Sequence, residues 1–449
     1  MPFPKDFIWG AAAASYQIEG AYNADGKGLS VWDMFCRKPG AVLQGDTGDT
    51  ACDHYHHYKE DVGLMHQIGL KAYRLSISWP RIIPAGKGAV NPAGLDFYDR
   101  LINEILAVGI TPWVTLFHWD YPYDLYCQGG WLNPDSPAWF AEYANLVARR
   151  LGDRVKHWMT LNEPQVFVNE GHAIGTHAPG DRLGYAQVVR AAYHSLLAHG
   201  KGVQSIRAEC RDGLVGLALS SETIVPASDS KDDIEMARRC MFWADSDDLW
   251  CNSFWMDPIF LGKFPPEWLE HHENLLQPRV DGDLDLISQP VDFFCVNTYF
   301  GRVVRAGANG SPEFIAPPAG WPIALNHWHM LPEVLYWVPR FYYERYGKPV
   351  YITENGLSCM DWVALDGHVH DPQRIDFTQR YLLQVARSIR DGIDIRGYFH
   401  WSILDNFEWA EGYRQRFGLI HLDYLTQKRV LKDSAMWYRE VIQSNGANL

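Results

Sequence analysis

The sequence carries no excess of positive charge, no membrane-length apolar run, no closely paired cysteines and no flexible linker. Its 449 residues have a formal net charge of −14 and a pI of about 5.7. Such a surface repels nucleic acid and anionic membranes, so neither is an expected partner. No hydrophobic stretch approaches the roughly 20 residues needed to cross a bilayer. Eight cysteines lie scattered without a C-x-x-C pair, which points to free thiols. The opening MPFPKDFIWGAAAASYQIEG lacks a basic segment followed by a clean apolar core. It reads as a first strand and not an export signal, and the expected location is the cytoplasm. The histidines of DHYHHYKED (54, 56 and 57) lack metal-ligand spacing, DGKG at 25–28 lacks the rest of a phosphate loop, and G-x-S-x-G does not occur. Metal-dependent, nucleotide-dependent and serine-hydrolase chemistry therefore have no motif here.

What the chain does have is aromatic mass. Aromatics make up 14% of residues, 19 of them tryptophans. Most must fill a large core, but some can line a cleft for a flat or sugar ring. Eight short apolar runs end in polar, chemically capable residues, at 6–19, 72–79, 111–119, 157–163, 214–221, 292–299, 349–354 and 395–406. Amphipathic segments of helical length lie between them, among them 93–109, 137–152 and 373–392, the first and last closed by Gly109 and Gly392. Eight strands alternating with helices imply parallel β/α units. The expected fold is a single-domain (β/α)8 TIM barrel over residues 1–449, with long loops after the strands. A doubly wound open sheet is the structural alternative.

In a barrel of this kind the C-terminal strand ends carry the chemistry. Two runs end on glutamates, HWMTLNEP on Glu163 and YITENG on Glu354. Paired carboxyl groups suit glycoside hydrolysis, where one protonates the leaving oxygen and the other attacks or stabilises the anomeric carbon. Hydrogen-bonding and aromatic neighbours around each glutamate are what a sugar requires.

The segments FIWGAAAASYQIEGA, YRLSISWPRIIP, LFHWDYP, TLNEP, VNTY, ITENG and WSILDNFEWAEGYRQRFGL, in this order, resemble glycoside hydrolase family 1, the β-glucosidase family, from about residue 3 to about residue 443. The resemblance implies a (β/α)8 barrel with no cofactor and no metal. It makes Glu163 the acid/base and Glu354 the nucleophile of a retaining exo-β-glycosidase. Gln17, His118, Trp119, Asn162, Glu408 and Trp409 would contact the non-reducing sugar. Asn297 and Tyr299 would flank the nucleophile, and Arg74 would hold it charged. Trp401 would be the platform beneath the sugar, and Phe417 would close the pocket. Small β-glucosides and cello-oligosaccharides are the implied substrates; no feature assigns an oligomeric state.

Two places depart from the family pattern. Gln165 stands where many relatives have tryptophan after Asn-Glu-Pro, and Asn326-His327-Trp328-His329 replaces the usual continuation of Gly320-Trp321-Pro322-Ile323. Trp321 is expected to remain a wall of the leaving-group side, with Trp328 a possible addition. A non-catalytic carbohydrate-binding barrel and a 6-phospho-β-glycosidase are the alternatives. Glu408 argues against the second, because a phosphate beside it would be repelled.

Overall fold

The computed structural model describes residues 3–244, 249–276 and 280–449. Its centre is a closed barrel of eight parallel strands. These are β1 (Ile8–Ala12), β2 (Ala72–Ser76), β3 (Thr111–Phe117), β4 (His157–Asn162), β5 (Leu214–Ser220), β6 (Phe294–Asn297), β7 (Val350–Asn355) and β8 (Ile395–Trp401). Each strand pairs with its sequence neighbours, and β1 pairs with β8 to complete the ring. Seven fall within the apolar runs marked in the sequence and β7 runs one residue past its own, and closure of the ring excludes the doubly wound alternative.

Helices wrap the outside. Pro92–Ala107, Ser136–Leu151 and Pro372–Arg390 occupy the amphipathic segments, each starting with proline in its first turn. Gly109 and Gly392 follow the first and last of these in the left-handed region, at φ of 78° and 93°. A side chain there would be strained, which is why glycine ends these helices.

Inside the barrel, the lower half is plugged by rings. Trp113 lies with its centroid 4.8 Å from Tyr351, 5.1 Å from Phe399 and 5.5 Å from Phe293, and stacks on His157 at 4.1 Å. Glycines make the room: a Cβ on Gly10 would fall 2.4 Å from Phe399, and one on Gly216 2.5 Å from Phe293. With its floor filled, the barrel can open only at the upper rim.

Two strands, β1 and β8, stop far short of the ends of their apolar runs. Beyond Ala12 the N–H of Ser15 bonds to the Ser76 hydroxyl at 2.7 Å, and Ser15–Ile18 becomes a helical turn that aims Gln17 inward. Beyond Trp401 the chain bends over the rim, with Ser402 and Ile403 donating to the carbonyls of Phe417 and Ala12. The histidines near residue 54 are engaged by carboxylates: His54 with Asp61 at 2.7 Å, His56 with Asp53 at 2.6 Å and His57 with Glu60 at 3.1 Å.

Candidate active site

Both strands that carry the glutamates lose register just before their ends. β4 slips against β5 between Met159 and Asn162, and β7 slips against β6 between Ile352 and Glu354. Such irregularities re-aim side chains that strict alternation would send elsewhere. Glu163 itself has φ of 44°, and Trp119 and Trp409 are also left-handed, at 75° and 53°. Non-glycine residues in this region are held there by their surroundings, a pattern that clusters at functional sites.

The result is a cleft of about 1310 Å³ at the C-terminal rim, into which Glu163, Glu354 and Glu408 all face. His118, Trp119, Trp401 and Trp409 form a continuous aromatic surface in it. His118 lies nearly parallel to Trp401 at 6.0 Å and to Trp409 at 5.9 Å, and Trp409 meets Trp119 at 4.6 Å.

Behind this surface is a layer of buried donors organised on Arg74. Its guanidinium donates to Glu354 Oε1 at 2.5 Å, Asn162 Oδ1 at 2.6 Å, Thr115 Oγ1 at 3.2 Å and the Thr353 carbonyl at 3.3 Å. The other Glu354 oxygen accepts from the Tyr299 hydroxyl at 2.7 Å. Asn297 donates to Asn162 Oδ1 at 3.0 Å and accepts from Thr353 at 2.7 Å. The Asn162 side-chain amide donates to His118 Nε2 at 3.0 Å, and the Asn162 main-chain carbonyl takes the Trp119 indole N–H at 3.0 Å. Burial, then the nearby Arg74 charge, keep His118 neutral. Its Nε2 therefore accepts, and Nδ1–H is left as the ring's donor.

The carboxyl groups experience different surroundings. Burial first, then the charge of Glu354, push Glu163 up to about 8. Glu354 is also raised by burial, but Arg74 and Tyr299 oppose that rise by binding its charged form. Glu408 is pushed up to about 8 by burial and by Glu354. Of the three, Glu354 is the one whose charged form is held directly by a cation and a phenol, while burial favours the protonated form of Glu163. Gln17 is fully buried, with its amide nitrogen donating to Glu408 Oε2 at 3.2 Å, the Phe407 carbonyl at 2.9 Å and Asn406 Oδ1 at 3.0 Å.

Phe417 is buried and backs Tyr299 and Trp328, with centroids at 6.2 and 6.3 Å. Trp321 departs from its expected place. It is 43% exposed, it is not among the residues lining the cleft, and its indole N–H is spent on the Met330 carbonyl at 2.7 Å. Trp328 takes the wall instead, stacked on Phe300 at 4.9 Å and tilted against Tyr299 at 5.0 Å. The residues after Ile323 bring this second tryptophan to the rim. Gln165 is buried, donating to the Ser220 carbonyl at 2.9 Å. Sequence reasoning missed His177, Glu411, Arg414 and Gln415, all of which line the cleft. The last three sit in the same quoted segment as Glu408, at positions the motif alone does not single out. His177 has no signal in the sequence.

A plugged parallel barrel, open at one rim onto aromatic rings and paired carboxyl groups in unlike surroundings, has the form of a glycoside hydrolase. Residues 1–447 match glycosyl hydrolase family 1. The chain is 46% identical to a 1,4-beta-D-glucan glucohydrolase of Thermotoga neapolitana, covering 99% of both chains. It is 44% identical to beta-glucosidase A of Thermotoga maritima, covering 99% of this chain and 98% of that one. A solved structure of the beta-glucosidase from Thermotoga maritima in complex with glucoimidazole superposes with a TM-score of 0.90 at 44% identity, covering 99% of each chain. The protein belongs to glycosyl hydrolase family 1.

Proposed function

We propose that the protein is a retaining exo-β-glucosidase, releasing terminal non-reducing β-D-glucosyl residues through Glu163 and Glu354. The observation that carries this reading is the unequal treatment of two carboxyl groups in one cleft. Glu354, held by Arg74 and Tyr299, attacks the anomeric carbon as the glycosidic C–O bond breaks. Glu163 gives its proton to the departing oxygen. The resulting glycosyl ester on Glu354 is hydrolysed by water, whose proton returns to the now ionised Glu163. Gln17 and Glu408 bind hydroxyl groups of the sugar, Trp401 and His118 support its ring, and Trp328 meets the leaving group.

The glucan hydrolase and glucosidase names of the relatives favour small β-glucosides and cello-oligosaccharide ends as substrates. We read the chain as one catalytic domain. A cytoplasmic setting suits buried thiols such as Cys36, Cys52 and Cys295, which form no disulfide.

The test is Glu354→Gly. Turnover should fall by several orders of magnitude, and azide should restore cleavage of an activated aryl glucoside with α-glucosyl azide as product. A β-configured product would overturn the nucleophile assignment.

A further inference from the structure

The loop that carries Trp321 and Trp328 has a second face. Residues 321–330 form a small hairpin, closed by an antiparallel bridge between Ile323 and His329 and by an Ala324 N–H bond to the Trp328 carbonyl at 2.8 Å. Leu325, Asn326, His327 and Trp328 at its tip line the catalytic cleft. Pro322, Ile323, Ala324, His329 and Met330 line a separate pocket of about 420 Å³. The hairpin is thus a partition, and Trp328 and Tyr299 belong to both sides.

We propose that this second pocket binds a flat aromatic alcohol, of the kind that leaves an aryl glucoside, and acts on Glu354 through Tyr299. The size is that of a small-molecule site. Leu357, Pro372 and Phe377 complete the apolar lining, while Gln373 and Asp376 supply hydrogen-bonding groups. Two aromatic walls and a ring at 3% exposure favour a planar ligand. Asp376 takes Arg380 on one oxygen at 2.7 Å and keeps the other as an acceptor, so the ligand's polar end is a hydroxyl donor. Gly356, two residues beyond Glu354, lies in the same lining. Tyr299 donates to Glu354 at 2.7 Å. A ring packed on Tyr299 from this side would fix the phenol that holds the carboxylate.

The test is calorimetric titration of 2-naphthol into the whole protein, with thiocellobiose, whose sulfur linkage resists hydrolysis, in excess to occupy the cleft. Saturable one-to-one binding should persist. Ile323→Glu should weaken it at least tenfold, and Ala324→Trp, which fills the pocket, should abolish it. Both positions lie on the hairpin surface, Ile323 being 53% exposed, and unchanged thermal unfolding of the variants checks that they fold. At saturating glucoside, 2-naphthol should change kcat by at least twofold in the parent protein and not in either variant. Displacement of 2-naphthol by thiocellobiose, or equal binding in parent and variants, would overturn the site. A kcat unmoved by bound 2-naphthol would overturn the link to Glu354. The binding measurement needs no turnover, so it stands apart from the proposed glucosidase activity.

Discussion

At the scale of the residue, the site works by giving like groups unlike partners. Glu163 and Glu354 are both buried, at 8% and 4% exposure, and only Glu354 has a guanidinium against it. Replacing Glu163 by alanine should therefore cost little with a dinitrophenyl glucoside, whose leaving group needs no proton. With an alkyl glucoside it should cost on the order of 100-fold or more in kcat. Steady-state rates on the two substrates check this, and equal losses would remove Glu163 from the acid role. The pH dependence follows with a definite sign. The acid must be protonated to act and its pKa is raised to about 8, so activity should fall as pH rises through that region. In Glu163→Ala this basic limb should vanish while the acidic limb, set by ionisation of Glu354, remains. The two glutamates were legible in the sequence because each terminates an apolar run. Their division of labour was not, since Arg74 lies 280 positions from Glu354 and only closure of the barrel brings them together.

At the scale of the element, strands were easier to read than loops. Burial on both faces forces a continuous apolar run, so β3 and β7 were recognisable from composition alone. The loops after the strands obey no such period. Trp321 and Trp328 illustrate the difference: both sit in one aromatic-rich loop, and nothing local says which turns inward. The hairpin's own hydrogen bonds decide it, engaging the Trp321 N–H within the loop and leaving Trp328 between Tyr299 and Phe300. Trp328→Ala should accordingly weaken binding of an aryl glucoside or cellobiose by about 0.5–2 kcal/mol, and Trp321→Ala should change it by much less. Inhibition constants for a series of aryl leaving-group analogues distinguish the two. The step that hydrolyses the glycosyl ester should be the same in both variants, because the leaving group has gone by then.

At the scale of the whole molecule, the rim segment that bears Trp401, Glu408, Trp409 and Phe417 is anchored by a buried ion network. Lys432 bonds Asp361 at 2.5 Å and Asp405 at 2.7 Å, Arg374 reaches Asp361 at 2.6 Å, and Arg416 reaches Asp405 at 2.7 Å. Asp405 also accepts the Gly418 N–H at 2.9 Å. Removing the shared cation in Lys432→Met would leave two buried carboxylates short of a partner. This should destabilise the protein by about 3–5 kcal/mol, as measured by denaturant unfolding. The ring closure itself has a consequence in time. Because β1 pairs with β8, the first strand to leave a ribosome must wait for the last. Until β8 has emerged the sheet has two bare edges, each able to pair with another chain, and the segment carrying Glu408 is still unmade. Synthesis interrupted before that point yields an adhesive, inert fragment, so the cell has reason to finish this chain quickly or destroy it.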